Sequence, residues 1–308
     1  MQRSKKIVVA AVVALSVLAL VSVRCDRSSA EVEARLATPP SRFVEVDGLR
    51  VHYRDRGSGP AIVLLHGSNS SLFTWEGWAA DLARDHRVVT LDLPGHGLTG
   101  PDPRGRYRPA EMAAFLDEVV ASLGIARFTL AGNSMGGGVA WRYAVLHPEH
   151  VERLILVDST GLPREEPPPF AFRLFTTPLV GRIVRWISPR WVVAASLRDT
   201  YGDPSRISDA QVDLYDDVLL RDGNREATRR RFVAGEDDGL WRRLGELHVP
   251  TLILWGRRDR WVLPKYADRF HAAIAGSQLV MLDGLGHVPM EEDPPRTLAE
   301  VRRFLAHQ

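Results

Sequence analysis

A hydroxyl becomes a nucleophile only when something exposes it, something takes its proton and something holds the charge it creates. The stretch FTLAGNSMGGGV, residues 128–139, supplies the first condition. Ser134 lies in Gly132-Asn133-Ser134-Met135-Gly136, a G-x-S-x-G pattern between an apolar strand-like run and a helix-like one. Glycine weakens both element types, so a cluster of it at their junction needs a reason. A sharp strand-to-helix turn is such a reason: it strains the serine backbone, lifts the hydroxyl above the sheet and lets the chain pass closely on either side. For the base, His287 in DGLGHVPMEEDP follows a predicted strand at the sheet edge where open parallel sheets carry their sites. His147, His150, His248, His271 and His307 read as structural or exposed. A carboxylate must hold the base in one tautomer. Asp259, in ILWGRRDRWV, also follows a strand, and the chain order Ser134, Asp259, His287 is the one this kind of turn accompanies. Asp158, in LILVDS, is the competing acid; it reads better as an anchor for the segment that follows.

These residues need elements to hold them. FVEVDG and LRVHYRDRG alternate around Asp47-Gly48, a hairpin signal. AIVLLHG, RVVTLDLPG, RFTLAG, RLILVDS, PTLILWG and SQLVMLDG are short apolar runs stopped by turn residues, as expected of strands buried on both faces. Helical spacing lies between most of them, and PAEMAAFLDEVVASLG is the clearest case. The alternation predicts an α/β fold, a mostly parallel sheet covered by helices over residues 42–160 and 248–308. Residues 161–247 contain no strand-like run and four helix-like pieces, PLVGRIVRWI, PRWVVAASLRD, DAQVDLYDDVLL and REATRRRFVAG, which reads as an inserted helical lid. Phe170, Phe172, Phe175, Trp186, Trp191 and Tyr201 are its aromatics, most of them lid core and a minority pocket lining.

Residues 1–23 are set apart. MQRSKK is basic, and residues 7–23 are an uncharged apolar run, the layout of a signal peptide or signal anchor. At 17 residues it is at the short edge of what spans a bilayer. The cleavage site is poorly written, which favours a retained anchor with the rest of the chain on the far side of the membrane. Residues 24–41 read as a linker, so deleting residues 1–41 is expected to leave a soluble, active domain. The 308-residue chain has 40 basic and 38 acidic residues, a balance that argues against nucleic acid as partner. Arg229, Arg230 and Arg231 read as a solvated helix face. The single cysteine, Cys25, excludes an internal disulfide. No cofactor or metal is expected: no metal-ligand cluster and no dinucleotide glycine pattern stand out.

Taken together, LLHGSNSS, DLPGHG, GNSMGG, WGRRDRWV and GHVPMEEDPP resemble the α/β-hydrolase superfamily, over residues from about 42 to 308. That resemblance implies a backbone oxyanion hole, with one amide from Met135 and the second from the LLHG loop at Ser68, or at Asn69 beside it. It implies that His66 orients that loop and that Asp92, Gly95 and His96 shape a turn next to the site. The expected activity is hydrolysis of a small-molecule carboxylic ester with an apolar acyl or alkyl group, through an acyl-enzyme on Ser134. Aspartate-nucleophile relatives such as epoxide hydrolases are excluded by the serine. Carbon–carbon bond hydrolases acting on vinylogous diketone acids are the alternative; they commonly carry an aromatic residue after the histidine, where this chain has Val288. A non-catalytic binding protein on the same scaffold is a third reading, disfavoured because all three candidate residues are retained.

Overall fold

The computed structural model describes residues 23–167, 176–235 and 237–306. Helix α1 (Ser29–Leu36) precedes a hairpin of β1 (Ser41–Val46) and β2 (Leu49–Arg56). Then come β3 (Ala61–Leu65), α2 (Glu76–Leu82), β4 (Arg87–Leu91), α3 (Pro109–Ser122), β5 (Phe128–Asn133), α4 (Met135–Leu146) and β6 (Val151–Val157). Four helices follow with no strand among the described residues: α5 (Pro178–Val184), α6 (Arg190–Thr200), α7 (Asp209–Leu220) and α8 (Asn224–Ala234). The chain closes with β7 (Thr251–Gly256), α9 (Lys265–Ala273), β8 (Gln278–Leu282), α10 (Pro289–Glu292) and α11 (Pro294–Ala306).

The strands form one eight-stranded sheet in the order β1-β2-β4-β3-β5-β6-β7-β8. The β1–β2 and β2–β4 pairs are antiparallel and the rest parallel. At the first hairpin Asp47 and Gly48 both have positive φ, 48° and 78°, the turn whose twist matches that of the flanking strands. Side chains of successive strand residues go to opposite faces. Ile62 and Leu64 pack with Trp75, Trp78, Val301 and Phe304; Val63 and Leu65 pack with Leu116, Val119, Tyr143 and Phe270. Both faces are thus covered, which is why the strands read as continuous apolar runs rather than alternating ones.

The helices α5–α8 form a cap seated beside the sheet. Ala194, Leu197, Tyr201 and Val212 join the apolar cluster of Trp75 and Trp78. Two consecutive carboxylates on α10 fix the cap. Glu291 accepts from Tyr201 Oη (3.1 Å), Gln211 Nε2 (3.0 Å), Tyr215 Oη (2.7 Å) and Thr74 Oγ1 (2.5 Å). Glu292 accepts from the backbone N–H groups of Gly202 (3.0 Å), Asp203 (2.7 Å) and Gly286 (2.8 Å). Burial first, and then the Glu291 charge, push the Tyr201 and Tyr215 phenols up, so both stay protonated donors.

Two expectations are corrected here. Residues 24–36 are not a free linker. Arg24 pairs with Asp216 (2.5 Å), Arg27 with Asp217, Arg35 with Asp217 (2.9 Å) and Asp26 with Arg225 (2.6 Å). Backbone bonds join Arg24 N to Trp186 O (2.9 Å) and Arg27 N to Leu220 O (2.7 Å). Ser28 caps α1 by accepting from Glu31 N (3.2 Å). The segment is a strap across the cap, so a deletion of residues 1–41 removes part of the fold. Nor is the arginine run a solvated face: only Arg230 is exposed. Arg229 is buried against Glu226 (2.7 Å), and Arg231 is buried with its guanidinium on Ser68 Oγ. Among the described residues no helix is long and apolar enough to cross a membrane. Apart from Val23, the apolar run at residues 7–23 lies outside the described residues, as do Phe170, Phe172 and Phe175.

Candidate active site

Ser134 sits between β5 and α4 with φ 52° and ψ −118°, a conformation that a residue with a side chain rarely adopts. The surroundings hold it there. Ser134 N donates to Val157 O (3.0 Å), and Ser134 O accepts from Gly138 N (3.0 Å) and Thr160 N (3.0 Å). The flanking glycines are required by close approach. A Cβ at Gly132 would lie under 3.0 Å from the Gly136 carbonyl, and one at Gly136 would lie under 3.0 Å from the Leu65 and His66 carbonyls. The strain is thus local and over-determined by packing on both sides.

His287 occupies the loop between β8 and α10. Its Nδ1 lies 2.7 Å from Asp259 Oδ2, in the loop after β7. The other oxygen of Asp259 accepts from Trp261 N (2.7 Å) and Val262 N (3.0 Å), which fixes the carboxylate plane. A proton on Nδ1 shared with Asp259 leaves Nε2 with a lone pair, the tautomer a base needs. The loop is pinned at its backbone: His287 N donates to Thr200 O (2.6 Å), and His287 O accepts from Asn133 Nδ2 (2.9 Å). Asn133 also donates to Val157 O (3.1 Å). The residue before Ser134 therefore ties the serine turn to the histidine loop. Sequence reasoning assigned Asn133 no role; its signal was an amide side chain ending an otherwise apolar strand. Ser134, Asp259 and His287 are all buried.

Asp158 is not bonded to His287. It ends β6 with φ 45° and is completely buried. Its Oδ1 accepts from Gly256 N (2.9 Å), and its Oδ2 has no hydrogen-bond partner among the described residues. Oxygens of Asp158 and Asp259 and a ring nitrogen of His287 all lie within 4.8 Å of one another. Burial, then the Asp259 charge, push the Asp158 carboxyl well above the usual carboxylate range. A neutral Asp158 has an O–H to offer Asp259, which accounts for an oxygen left without a donor.

The loop after β3 passes beside the serine. A Cβ on Gly67 would meet Ser134 Cβ at 3.2 Å and Asn133 Oδ1 at 2.8 Å, so glycine is what lets the backbone come this near. His66 holds the loop. Its Nδ1 donates to Gly67 O (2.7 Å), and its Nε2 accepts from Leu93 N (3.0 Å). Burial pushes its pKa down, so the ring is neutral, as this bonding requires. Ser68 and Asn69 follow; Ser68 Oγ accepts from Arg231, and Asn69, at φ 55°, accepts from Thr228 Oγ1 (2.9 Å) through its side chain. Both side chains accept a bond from α8, which holds the loop in place. Met135 opens the 12-residue helix α4, whose first-turn amides have no intrahelical acceptor.

Asp92 braces the wall behind the loop. It accepts from His52 Nδ1 (2.7 Å), Leu72 N (2.7 Å) and Leu98 N (2.8 Å). Burial alone would raise its pKa, but His52 and these donors outweigh it and hold the carboxyl down at about 2. Gly95, at φ 82°, makes the turn, and His96 is buried with its ring 5.2 Å from that of His66. Burial pushes His96 well below its ordinary value. Of the cap aromatics, Tyr201 is buried, Trp186 half-buried under Arg225, and Trp191 exposed.

The geometry has counterparts. The profile described as alpha/beta hydrolase fold matches residues 60–294. A 2-hydroxy-6-oxononadienedioate/2-hydroxy-6-oxononatrienedioate hydrolase of Klebsiella pneumoniae is 31% identical over 284 residues, covering 86% of this chain and 96% of the relative. A solved bacterial membrane phospholipase A superposes with TM-score 0.76 at 27% identity, over 99% of this chain and 98% of its own. Cfl2 of Burkholderia cenocepacia gives 0.79 at 29%, over 87% and 97%. With more than half its length under the profile and a relative above 30% identity matched almost end to end, the chain belongs to the alpha/beta hydrolase fold family.

Proposed function

We propose that the protein is a serine hydrolase that cleaves carboxylic esters carrying an apolar acyl or alkyl group. The observation that carries this reading is the 2.7 Å His287–Asp259 contact in a loop tied through Asn133 to the strained Ser134. Ser134 Oγ bonds to the ester carbonyl carbon while its proton passes to His287 Nε2. The oxyanion that forms is held by the N–H groups of Met135 and Ser68, and Asp259 steadies the imidazolium. The C–O bond to the alcohol breaks as His287 returns the proton to the leaving oxygen. Water, deprotonated by His287, then attacks the acyl-enzyme, and the acid leaves as Ser134 regains its proton. These side chains complete the cycle without a cofactor.

Residues 161–247 act in this reading as a lid that shapes the acyl pocket, and residues 1–23 tether or export the protein, with the enzyme outside the cytoplasm. The phospholipase relative, named as a membrane protein and matched over almost its whole length, supports both the ester chemistry and the membrane. Cleavage of a carbon–carbon bond in a vinylogous diketone acid is a second reading, favoured by the Klebsiella relative. Val288, where such enzymes commonly carry an aromatic residue, weighs against it.

The test is turnover of p-nitrophenyl esters from acetate to palmitate by the full-length chain, with Ser134→Ala as control. Turnover that vanishes in the variant supports the ester reading. A chain that ignores every ester, while a fluorophosphonate still labels Ser134 and a vinylogous diketone acid is cleaved, overturns it for the second. No labelling at all overturns both.

A further inference from the structure

Nine large hydrophobic residues are exposed among the described residues, and six of them lie on α5, the start of α6 or the residue bridged to the turn between them: Val23, Leu179, Val180, Ile183, Trp191 and Val192. Exposed apolar side chains scattered singly need no explanation; a contiguous group does. Leu179 and Ile183, 75% and 66% exposed, are four residues apart on α5 and share one face. Trp191, 62% exposed, starts α6 one short turn later. Val23 is bridged in antiparallel fashion to Ile187, in that turn, and Arg24 N donates to Trp186 O (2.9 Å). The described chain therefore begins, at Val23, beside this patch.

From this placement we infer that the outer face of α5 and the start of α6 is a lipid-bilayer contact surface, seating the cap on the membrane that receives residues 7–22. The surface rests on the membrane part of the proposed function and is independent of the ester chemistry. Three observations choose a bilayer over other occupants. First, the run at residues 7–23 is apolar all round. Folded back on the patch it would cover the patch but leave its own outer face in water, whereas a bilayer covers both. Second, between Glu166 and Asp199 the sequence contains five arginines and no acidic residue; Arg185 and Arg190 are paired with Glu226 and with Asp209 and Asp213, and Arg182 and Arg198 are exposed. Apolar and aromatic residues interleaved with arginine mark helices that lie in the membrane interface, and the charges suit an anionic headgroup layer. Arg182, exposed between Val180 and Ile183, is one of these. Third, the junction is rigid. Arg225 donates to Arg24 O (2.7 Å) and to Arg185 O (3.0 Å) while its guanidinium lies 4.8 Å from the Trp186 ring centroid. Arg24, and with it the point from which the apolar run departs, is thus fixed beside α5.

The test uses the full-length chain reconstituted in vesicles of phosphatidylethanolamine and phosphatidylglycerol. An environment-sensitive fluorophore is placed at Leu179→Cys in a Cys25→Ser background, and at Ile183→Cys as a second position, with vesicles whose acyl chains are brominated or not. A blue-shifted emission, quenched at least twofold by the brominated lipid at both positions, is the expected result. A blue-shifted emission that bromine leaves unquenched means that protein covers the patch, residues 7–22 or a second copy, and overturns the proposal. Emission typical of a water-exposed dye overturns it as well. Neither readout depends on turnover, so a chain that hydrolyses no ester leaves this inference standing or falling alone.

Discussion

The serine turn and the cap are built from opposite materials. At the turn, β5, α4 and the loop after β3 approach until there is no room for a methyl group at Gly132 or Gly136, and the partners are backbone atoms. At the cap, α7 and α8 meet the strap through guanidinium and carboxylate: Arg24 with Asp216, Arg35 with Asp217, Arg225 with Asp26. Close packing fixes positions to fractions of an ångström and cannot yield without a clash. Ion pairs are directional, and those with a partly exposed guanidinium, as Arg24 and Arg35 have, respond to salt. A hydrolase has reason to separate the two. The reacting atoms need fixed geometry, and in the lid reading proposed above the cap gains from contacts that can open one at a time.

The sharpest way to break the comparison is to remove chemistry without touching packing. Ser134→Ala is expected to lower ester turnover by about 10⁴-fold or more, with an unchanged melting curve; a variant that melts early would mean the hydroxyl helps hold the turn. Next is packing without chemistry. Gly132→Ala is expected to cost about 3 kcal/mol in urea unfolding, because neither neighbouring backbone can retreat. Gly245→Ala, whose nearest neighbour would be 3.8 Å away, serves as the silent control.

On the cap side, Asp216→Ala strips Arg24 of its partner and is expected to cost about 2 kcal/mol. Amide exchange should quicken in α1, α7 and α8 and stay unchanged in β5. Equal acceleration in both would show that the two regions unfold as one. In 1 M salt the difference from the parent should shrink.

The smallest effect concerns Asp158. Its folded pKa is raised, so the native state keeps a proton that the unfolded chain releases above about pH 4. Stability from this group is present below that pH and is lost as pH rises towards the folded value, by up to about 1.4 kcal/mol per unit. Asp158→Asn should remove that slope, so its stability relative to the parent rises by about 1 kcal/mol between about pH 4 and 5. Identical slopes in denaturation at each pH would mean that Asp158 is ionised in the fold.

The same division decides what could be read from the sequence. Strands buried on both faces announce themselves as apolar runs, and the turn at Ser134 announces itself through glycines that have no other reason to cluster. His287 and Asp259 could be paired because each follows a strand at the same sheet edge. Their side chains are in contact although the residues are 28 apart. The strap could not be read. Residues 24–36 are charged and short of apolar residues, and α1 buries only Val32. What orders them is a set of partners about 190 residues away, and no local periodicity encodes that. The burial of Arg229 and Arg231 was hidden likewise, since a run of arginines looks solvated until Glu226 and the loop at Ser68 are placed beside it. Asn133 was visible only as a polar end to an apolar strand; its bond to the His287 carbonyl depends on a loop 154 residues on.

The strap also has a consequence in time. Arg24 is synthesised 192 residues before Asp216, its carboxylate partner, exists. At ordinary synthesis rates of about 5–20 residues per second, that is a wait of roughly 10 to 40 seconds. During this interval the strap cannot dock. Its docking is therefore a late event in biogenesis, completed only after the cap has been made.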